Sequence, residues 1–206
     1  AWDASGDMTA LDPGKPYPLG AHCTGSGVNF AVFSETASRI VVCLYSADGS
    51  RETGRHELTE HSDGVWHGHL PDAGPGLVYG LRADGTSDPD RGLRFNPHKL
   101  LLDPYARQLG GAFHWTDAHL DTPATATLDN ARYMLKGVVT GGPDAAFDWQ
   151  DDRPPAVPMD ESILYEVHVR GFTRHHPQIP AALRGTFEGF ASEPAIAHLK
   201  RLGITA

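Results

Sequence analysis

The chemically capable side chains of this sequence come in small groups, and spacing decides what each group could do. Glu166 and His168 lie two apart in Ile163-Leu164-Tyr165-Glu166-Val167-His168-Val169, so on a strand they would share one face. If that face lined the interior of a parallel barrel, His168 and Arg170 would sit toward the carboxyl end, where active sites of such barrels are built. A single pair cannot supply both chemistry and substrate orientation, so an interior hydrogen-bonded pair that sets strand register is the preferred reading. His67 and His69 have the same spacing in Trp66-His67-Gly68-His69-Leu70 and could ligate a metal. Even together they leave a four-coordinate ion without two partners, which favours a solvated outer strand face. His175-His176-Pro177 reads as a turn. Trp66 and Tyr79 offer flat apolar rings that could stack on sugars, but in alternating strands large aromatics belong to the core. Gly20, Gly25 and Gly27 do not open a helix after a strand, so they make a poor phosphate loop. No Ser/His/Asp or Cys/His set has supporting spacing, and no catalytic, cofactor or metal residue is nominated.

The elements that must position these groups follow from pattern. Ile163 to Val169 is apolar on both parities, as in a strand buried on two faces of a parallel sheet. Ser192 and Pro194 are helix-start signals, Ile196, Leu199 and Leu202 recur at helical spacing, and Gly203 suits a left-handed cap. Ile204-Thr205-Ala206 then begins another apolar run. Strand, crossover helix and second strand would open a parallel α/β domain whose remainder lies beyond the chain. Further upstream the pattern differs. Residues 1–26 are a proline- and glycine-rich lead-in. Short runs then alternate or are rich in β-branched residues at 27–33, 39–45, 53–58, 64–70 and 77–83, separated by turn clusters such as Ser46 to Ser50 and Asp84-Gly85. That arrangement predicts an antiparallel, immunoglobulin-like β-sandwich. A proline-punctuated connector, 86–105, carries Leu100-Leu101-Leu102, expected to wedge between the sandwich and the next domain. The division is therefore 1–105 for sandwich, lead-in and connector, and 106–206 for an irregular approach (106–160) and the parallel unit.

Composition narrows the class. With 206 residues there is ample chain for a hydrophobic core, and a formal net charge of −9 with scattered Lys and Arg argues against nucleic-acid and anionic-membrane partners. Two cysteines, Cys23 and Cys43, are too few for a disulfide framework and too far apart for a metal knuckle. Free thiols in a reducing, cytoplasmic compartment are expected, and Cys43 suits the apolar strand around it. No segment approaches the roughly 20 apolar residues of a membrane span, and Ala1-Trp2-Asp3 has no signal-peptide character. The missing initiator Met suggests processing or a fragment.

Taken in order, Tyr17-Pro18-Leu19-Gly20-Ala21, GVNFAVFS from Gly27, GLRFNPHKLLLDPYA from Gly92, ILYEVHVRGFT from Ile163, His176-Pro177, Arg184-Gly185-Thr186 and LKRLGITA from Leu199 carry a resemblance. The chain resembles the amino-terminal part of the bacterial glycogen debranching enzymes of isoamylase type, in the α-amylase superfamily (glycoside hydrolase family 13). The resemblance implies a sandwich of the family 48 carbohydrate-binding type, then the first βα unit of a (β/α)₈ barrel. It also implies hydrolysis of α-1,6 branch linkages of glycogen or limit dextrin, by retention, with two carboxylates about 5 Å apart. Those carboxylates belong to the fourth, fifth and seventh barrel strands of the family, so no residue here takes their roles and the chain alone is expected to be inactive. Glucan contact through the complete barrel, and no cofactor, are implied. Members that grip starch on the sandwich resemble one another in an exposed Trp after the hairpin that here reads Asp84-Gly85; this chain has Thr86-Ser87, which implies weak glycan binding there. The rival of another class is a glycan-binding or docking module without a catalytic domain, and branching or trehalose-releasing enzymes of the same superfamily are similar in arrangement.

Overall fold

The computed structural model describes residues 11–142 and 148–206, and the chain divides into two compact units, Ala1–Phe147 and Asp148–Ala206. The first ten residues of the predicted lead-in lie outside the described residues.

The first unit is all-β. Its strands are β1 (Gly20–Cys23), β2 (Gly27–Phe33), β3 (Ala37–Tyr45), β4 (Glu52–Glu57), β5 (Glu60–Ser62), β6 (Val65–Pro71), β7 (Val78–Gly85), β8 (Ser87–Asp88), β9 (Leu93–Arg94), β10 (Gln108–Gly110) and β11 (Lys136–Val138). One antiparallel sheet has the order β1-β2-β6-β5 and the other β10-β11-β7-β3-β4, while β8 and β9 form a separate two-stranded ladder. All five predicted strands are present within two residues of their expected ends. Alternation explains how the sheets meet: Val28 and Phe30 of β2, Ile40 and Val42 of β3, and Tyr79 and Leu81 of β7 are buried in one core with Leu11 and Leu58.

A second core lies on the opposite parity of β3 and β7, where Val41, Cys43, Tyr45 and Val78 pack with Leu100. The five-stranded sheet is thus covered on both faces. Leu100 reaches the sheet over Gly80, where a Cβ would lie 2.8 Å from the leucine side chain. Leu101 completes the join through its backbone, exchanging N–H···O bonds of 2.7 and 2.9 Å with Leu81. Leu100 by its side chain and Leu101 by its backbone therefore dock on the sheet of their own unit, while the Leu101 side chain is exposed.

This covering layer continues past residue 105. β11 pairs with β7 and β10 with β11, so part of the expected irregular approach belongs to the second sheet. A three-residue strand is too short to show periodicity, which is why neither was visible beforehand.

The second unit has three short helices, α1 (Val169–Thr173), α2 (Phe187–Phe190) and α3 (Glu193–Arg201). The predicted final helix is α3, with Pro194 in its first turn and Gly203 beyond its end at φ +74°. The predicted buried strand at Ile163 to Val169 is a correction: Ile163–His168 forms no strand, α1 begins at Val169, and Leu164 is 69% exposed. A rudiment of the pairing exists. Ile163 O accepts from the N–H groups of Thr205 and Ala206 (3.1 and 3.3 Å), and Tyr165 N–H donates to Ala206 O (3.0 Å). Two residues of one neighbour cannot hold a parallel ladder, which needs flanking strands along its length.

Candidate functional site

The first question is where the chemically capable groups fall. Glu166 and His168 are both exposed, so they are not an interior pair. His168 instead caps α1, its Nδ1 accepting from Gly171 N–H at 3.0 Å. His176 lies in the predicted turn, its Nδ1 accepting from Gln178 N–H at 3.3 Å.

His67 and His69 share a face of β6 but have separate partners. His67 Nε2 lies 3.0 Å from Ser62 Oγ, and His69 Nε2 lies 3.0 Å from Thr24 Oγ1. No group of three or more potential ligands gathers around a metal position among the described residues. The expected solvated face is corrected at His67, which is buried. The lead-in crosses β6 beside it so closely that a Cβ on Gly14 would meet the Gly68 backbone at 2.6 Å.

Trp66 and Tyr79 are core, as expected. Trp66 packs against the inter-sheet cluster and donates from Nε1 to Ser34 O (3.0 Å). Tyr79 is fully buried, makes an edge-on contact with Phe30 at 5.2 Å, and donates its hydroxyl to Asp103 Oδ2 at 2.6 Å. Burial, with the Asp103 carboxylate beside it, pushes the Tyr79 phenol far above the usual tyrosine range. The Tyr79 ring is thus closed to a ligand, and the Trp66 ring is half-buried against the core.

Exposed aromatic surface lies elsewhere in the first unit, in a loop that sequence reading passed over. Trp115 is 70% and Phe113 47% exposed. His119 stacks on Trp115 (centroids 5.5 Å, 25° between planes) and on Phe113 (4.9 Å, 31°). The three rings line a groove of about 570 Å³ whose polar edge includes Arg94, Asn96 and Asp121. Asn96 Nδ2 donates to Asp121 Oδ1 at 2.7 Å, which fixes the carboxylate.

The loop beneath the rings is held by two buried polar groups. Lys99 Nζ donates to the carbonyls of Ala118, Thr125 and Leu128 at 2.8, 2.9 and 2.8 Å. Burial draws the Lys99 ammonium below the usual lysine range, with Asp121 and Asp129 pulling in the other direction. Asn130 answers both backbone groups of Leu100, accepting from its N–H at 2.6 Å and donating to its carbonyl at 3.3 Å. From the opposite side, buried Arg82 of β7 donates to Asp129 Oδ2 (2.7 Å) and to Pro97 O (2.9 Å). A sequence signal for the site existed: Phe113-His114-Trp115 puts two large rings in a stretch without periodicity, where no regular element can bury them.

A second groove, of about 920 Å³, is lined by Lys15, His22, His69, Arg107 and Cys23, with no acidic residue among the described residues of its wall. The Cys23 thiol donates to Thr140 O at 3.2 Å.

Comparison with known proteins agrees with this architecture. Residues 18–106 match carbohydrate-binding module 48 (isoamylase N-terminal domain). The chain is 48% identical to the glycogen debranching enzyme of Dickeya chrysanthemi over 207 aligned residues, and 48% identical to that of Pectobacterium atrosepticum over 203. In both comparisons 97% of the chain is covered, but the chain spans only 30% of the relative's length. The fold is shared with the pullulanase of Paenibacillus barengoltzii (TM-score 0.61, 22% identity, 92% of this chain and 26% of that one). It is shared likewise with a pullulanase from an Anoxybacillus species (TM-score 0.62, 20% identity, 95% of this chain and 25% of that one). Residues 18–106 are similar to the family 48 carbohydrate-binding modules, and the chain around them resembles bacterial glycogen debranching enzymes along nearly its whole length.

Proposed function

We propose that this chain is the amino-terminal part of a retaining glycoside hydrolase that cleaves α-1,6 branch linkages of glycogen or limit dextrin in the cytoplasm. The observation that carries the reading is the 48% identity to two glycogen debranching enzymes across 97% of the chain. In this reading the two facing sheets are an immunoglobulin-like sandwich, and the second unit is the opening of a (β/α)₈ barrel. The bonds between Ile163 or Tyr165 and Thr205-Ala206, joined through α3, support that reading, because a βαβ unit brings its two strands together in this order. Free Cys23 and Cys43 fit a reducing compartment.

The chemistry expected of the whole enzyme is double displacement: one carboxylate attacks the anomeric carbon while a protonated carboxyl group gives its proton to the departing oxygen. We assign neither role to a residue of this chain. Its proposed contribution is the module and the first wall of the barrel.

The test is to express the gene product over the full length of its relatives and assay reducing-end release from limit dextrin, beside the 206-residue chain. Release by the long product and none by the short chain is expected. A long product that leaves α-1,6 linkages intact, or that creates new ones, overturns the proposal.

A further inference from the structure

We propose that Phe113, Trp115 and His119, whose rings lie outside the module of residues 18–106 but share a groove with its Arg94 and Asn96, form a binding subsite for α-1,4-linked glucan. The inference rests on the reading of the protein as one that acts on branched α-glucan, and it names a surface that could hold the linear part of such a chain.

Chemistry selects the ligand. A pyranose has apolar C–H faces and a rim of hydroxyl groups, so it matches an exposed ring flanked by hydrogen-bonding side chains. Trp115 and Phe113 supply the rings, while Asp121, Asn96 and Arg94 supply the rim. A net charge of −9, with Asp121 at the groove edge, disfavours an anionic polymer and leaves a neutral polyol suited to the site.

Ring geometry selects the linkage. The Phe113 and Trp115 planes are inclined by 52° with centroids 6.2 Å apart, so successive sugars must turn to face them. An α-1,4 chain is curved and turns its successive sugars, whereas a flat β-1,4 chain stacks best on coplanar rings.

The platform is also preorganised, which a binding surface needs if it is not to lose its affinity to loop ordering. The three carbonyl contacts of Lys99 Nζ and the two backbone contacts of Asn130 hold the loop from within. None of the loop's anchoring depends on Trp115, so removing that indole should leave the fold intact.

Calorimetric titration of the chain with maltoheptaose, and with cellohexaose as the flat control, tests the proposal. Saturable binding of maltoheptaose alone is expected, weakened at least tenfold by Trp115→Ala, partly restored by Trp115→Phe, and unchanged by Trp149→Ala, which alters a different exposed indole. Melting curves establish that each variant folds. Maltoheptaose binding that survives Trp115→Ala overturns the subsite while the α-glucan reading stands. Absence of binding by the unaltered chain overturns the subsite too, and the limit-dextrin assay of the full-length product then judges the wider reading separately. Equal binding of cellohexaose, or self-association that Trp115→Ala abolishes without any sugar binding, also overturns it.

Discussion

Tyr79 joins the two sheets to the layer outside them: its ring fills the inter-sheet core and its hydroxyl satisfies the buried Asp103 carboxylate. Tyr79→Phe keeps the ring and removes the donor, so Asp103 Oδ2 is left without that partner at a cost of about 1–3 kcal/mol. Urea unfolding should show that loss as a lower midpoint with an unchanged slope; an unaltered midpoint would mean that Asp103 is satisfied elsewhere. Cys43 illustrates burial outweighing the nearby Arg82 and Arg55 charges. Desolvation is the largest influence on its thiol, which is pushed from the ordinary 9.0 up to about 11. A raised pKa favours the neutral thiol, so this contribution to stability is whole below pH 9 and is lost as pH rises through about 11. At pH 8, Cys23 should react with an aromatic disulfide reagent while Cys43 stays silent until the chain is unfolded. Rapid labelling of two thiols in the folded protein would contradict the buried placement. The core roles of Trp66 and Tyr79 were legible from alternation, whereas the burial of His67 was not. It depends on a crossing by the lead-in that no local pattern announces.

At the scale of elements, the clearest lesson concerns strands that are apolar on both parities. That pattern in Ile163 to Val169 predicts a doubly buried strand, yet the segment is irregular and its Ile163 and Leu164 are exposed. The same pattern in β3 marks a doubly buried strand that is present: Ile40 and Val42 enter one core, Val41 and Cys43 the other. Two-sided apolarity reports a requirement for two covering layers, and only tertiary partners decide whether the described residues meet it. Hydrogen exchange distinguishes the two cases. Amides of β2 and β3 lie in ladders with partners on both sides, whereas Tyr165 N–H has the single acceptor Ala206 O. Tyr165 and its neighbours should exchange at least a hundredfold faster than Phe30 or Val42. Comparable protection would show that the segment finds a stable strand environment. The five longer strands were legible because each is an alternating or β-branched run bounded by turn clusters, and α3 because its start and stop signals are intact. β10 and β11 were not, being only three residues each, nor was the aromatic loop, whose position is set by Lys99, Asn130 and Arg82 contacts over long sequence separations.

For the chain as a whole, the unresolved choice between two cutting points can be argued from what each would leave uncovered. The family module ends at residue 106, whereas the first compact unit continues to Phe147. A chain ending at Tyr105 loses β11, whose Gly137 lies against the Tyr79 ring so closely that a Cβ would stand 2.7 Å away. It also loses Asp129, the carboxylate that meets the buried Arg82 guanidinium, and Asn130, which answers both backbone groups of Leu100. Stranding a fully buried cation costs about 3–5 kcal/mol; Asp129 is about half exposed and Arg82 keeps Glu52 Oε2 at 3.8 Å and Pro97 O at 2.9 Å, so the loss here is smaller. The open Leu100 face adds to that loss, against a whole-domain stability of only about 5–15 kcal/mol. A chain ending at Phe147 keeps every one of these contacts. The longer piece should therefore melt in one cooperative transition and remain monomeric, while the piece ending at Tyr105 should bind a hydrophobic dye, aggregate, or melt without a sharp transition. Should the two pieces melt at the same temperature with equal cooperativity, the outer layer would be ornament on an autonomous module, and residues 106–142 would have to be regarded as a separate element that merely rests on β7.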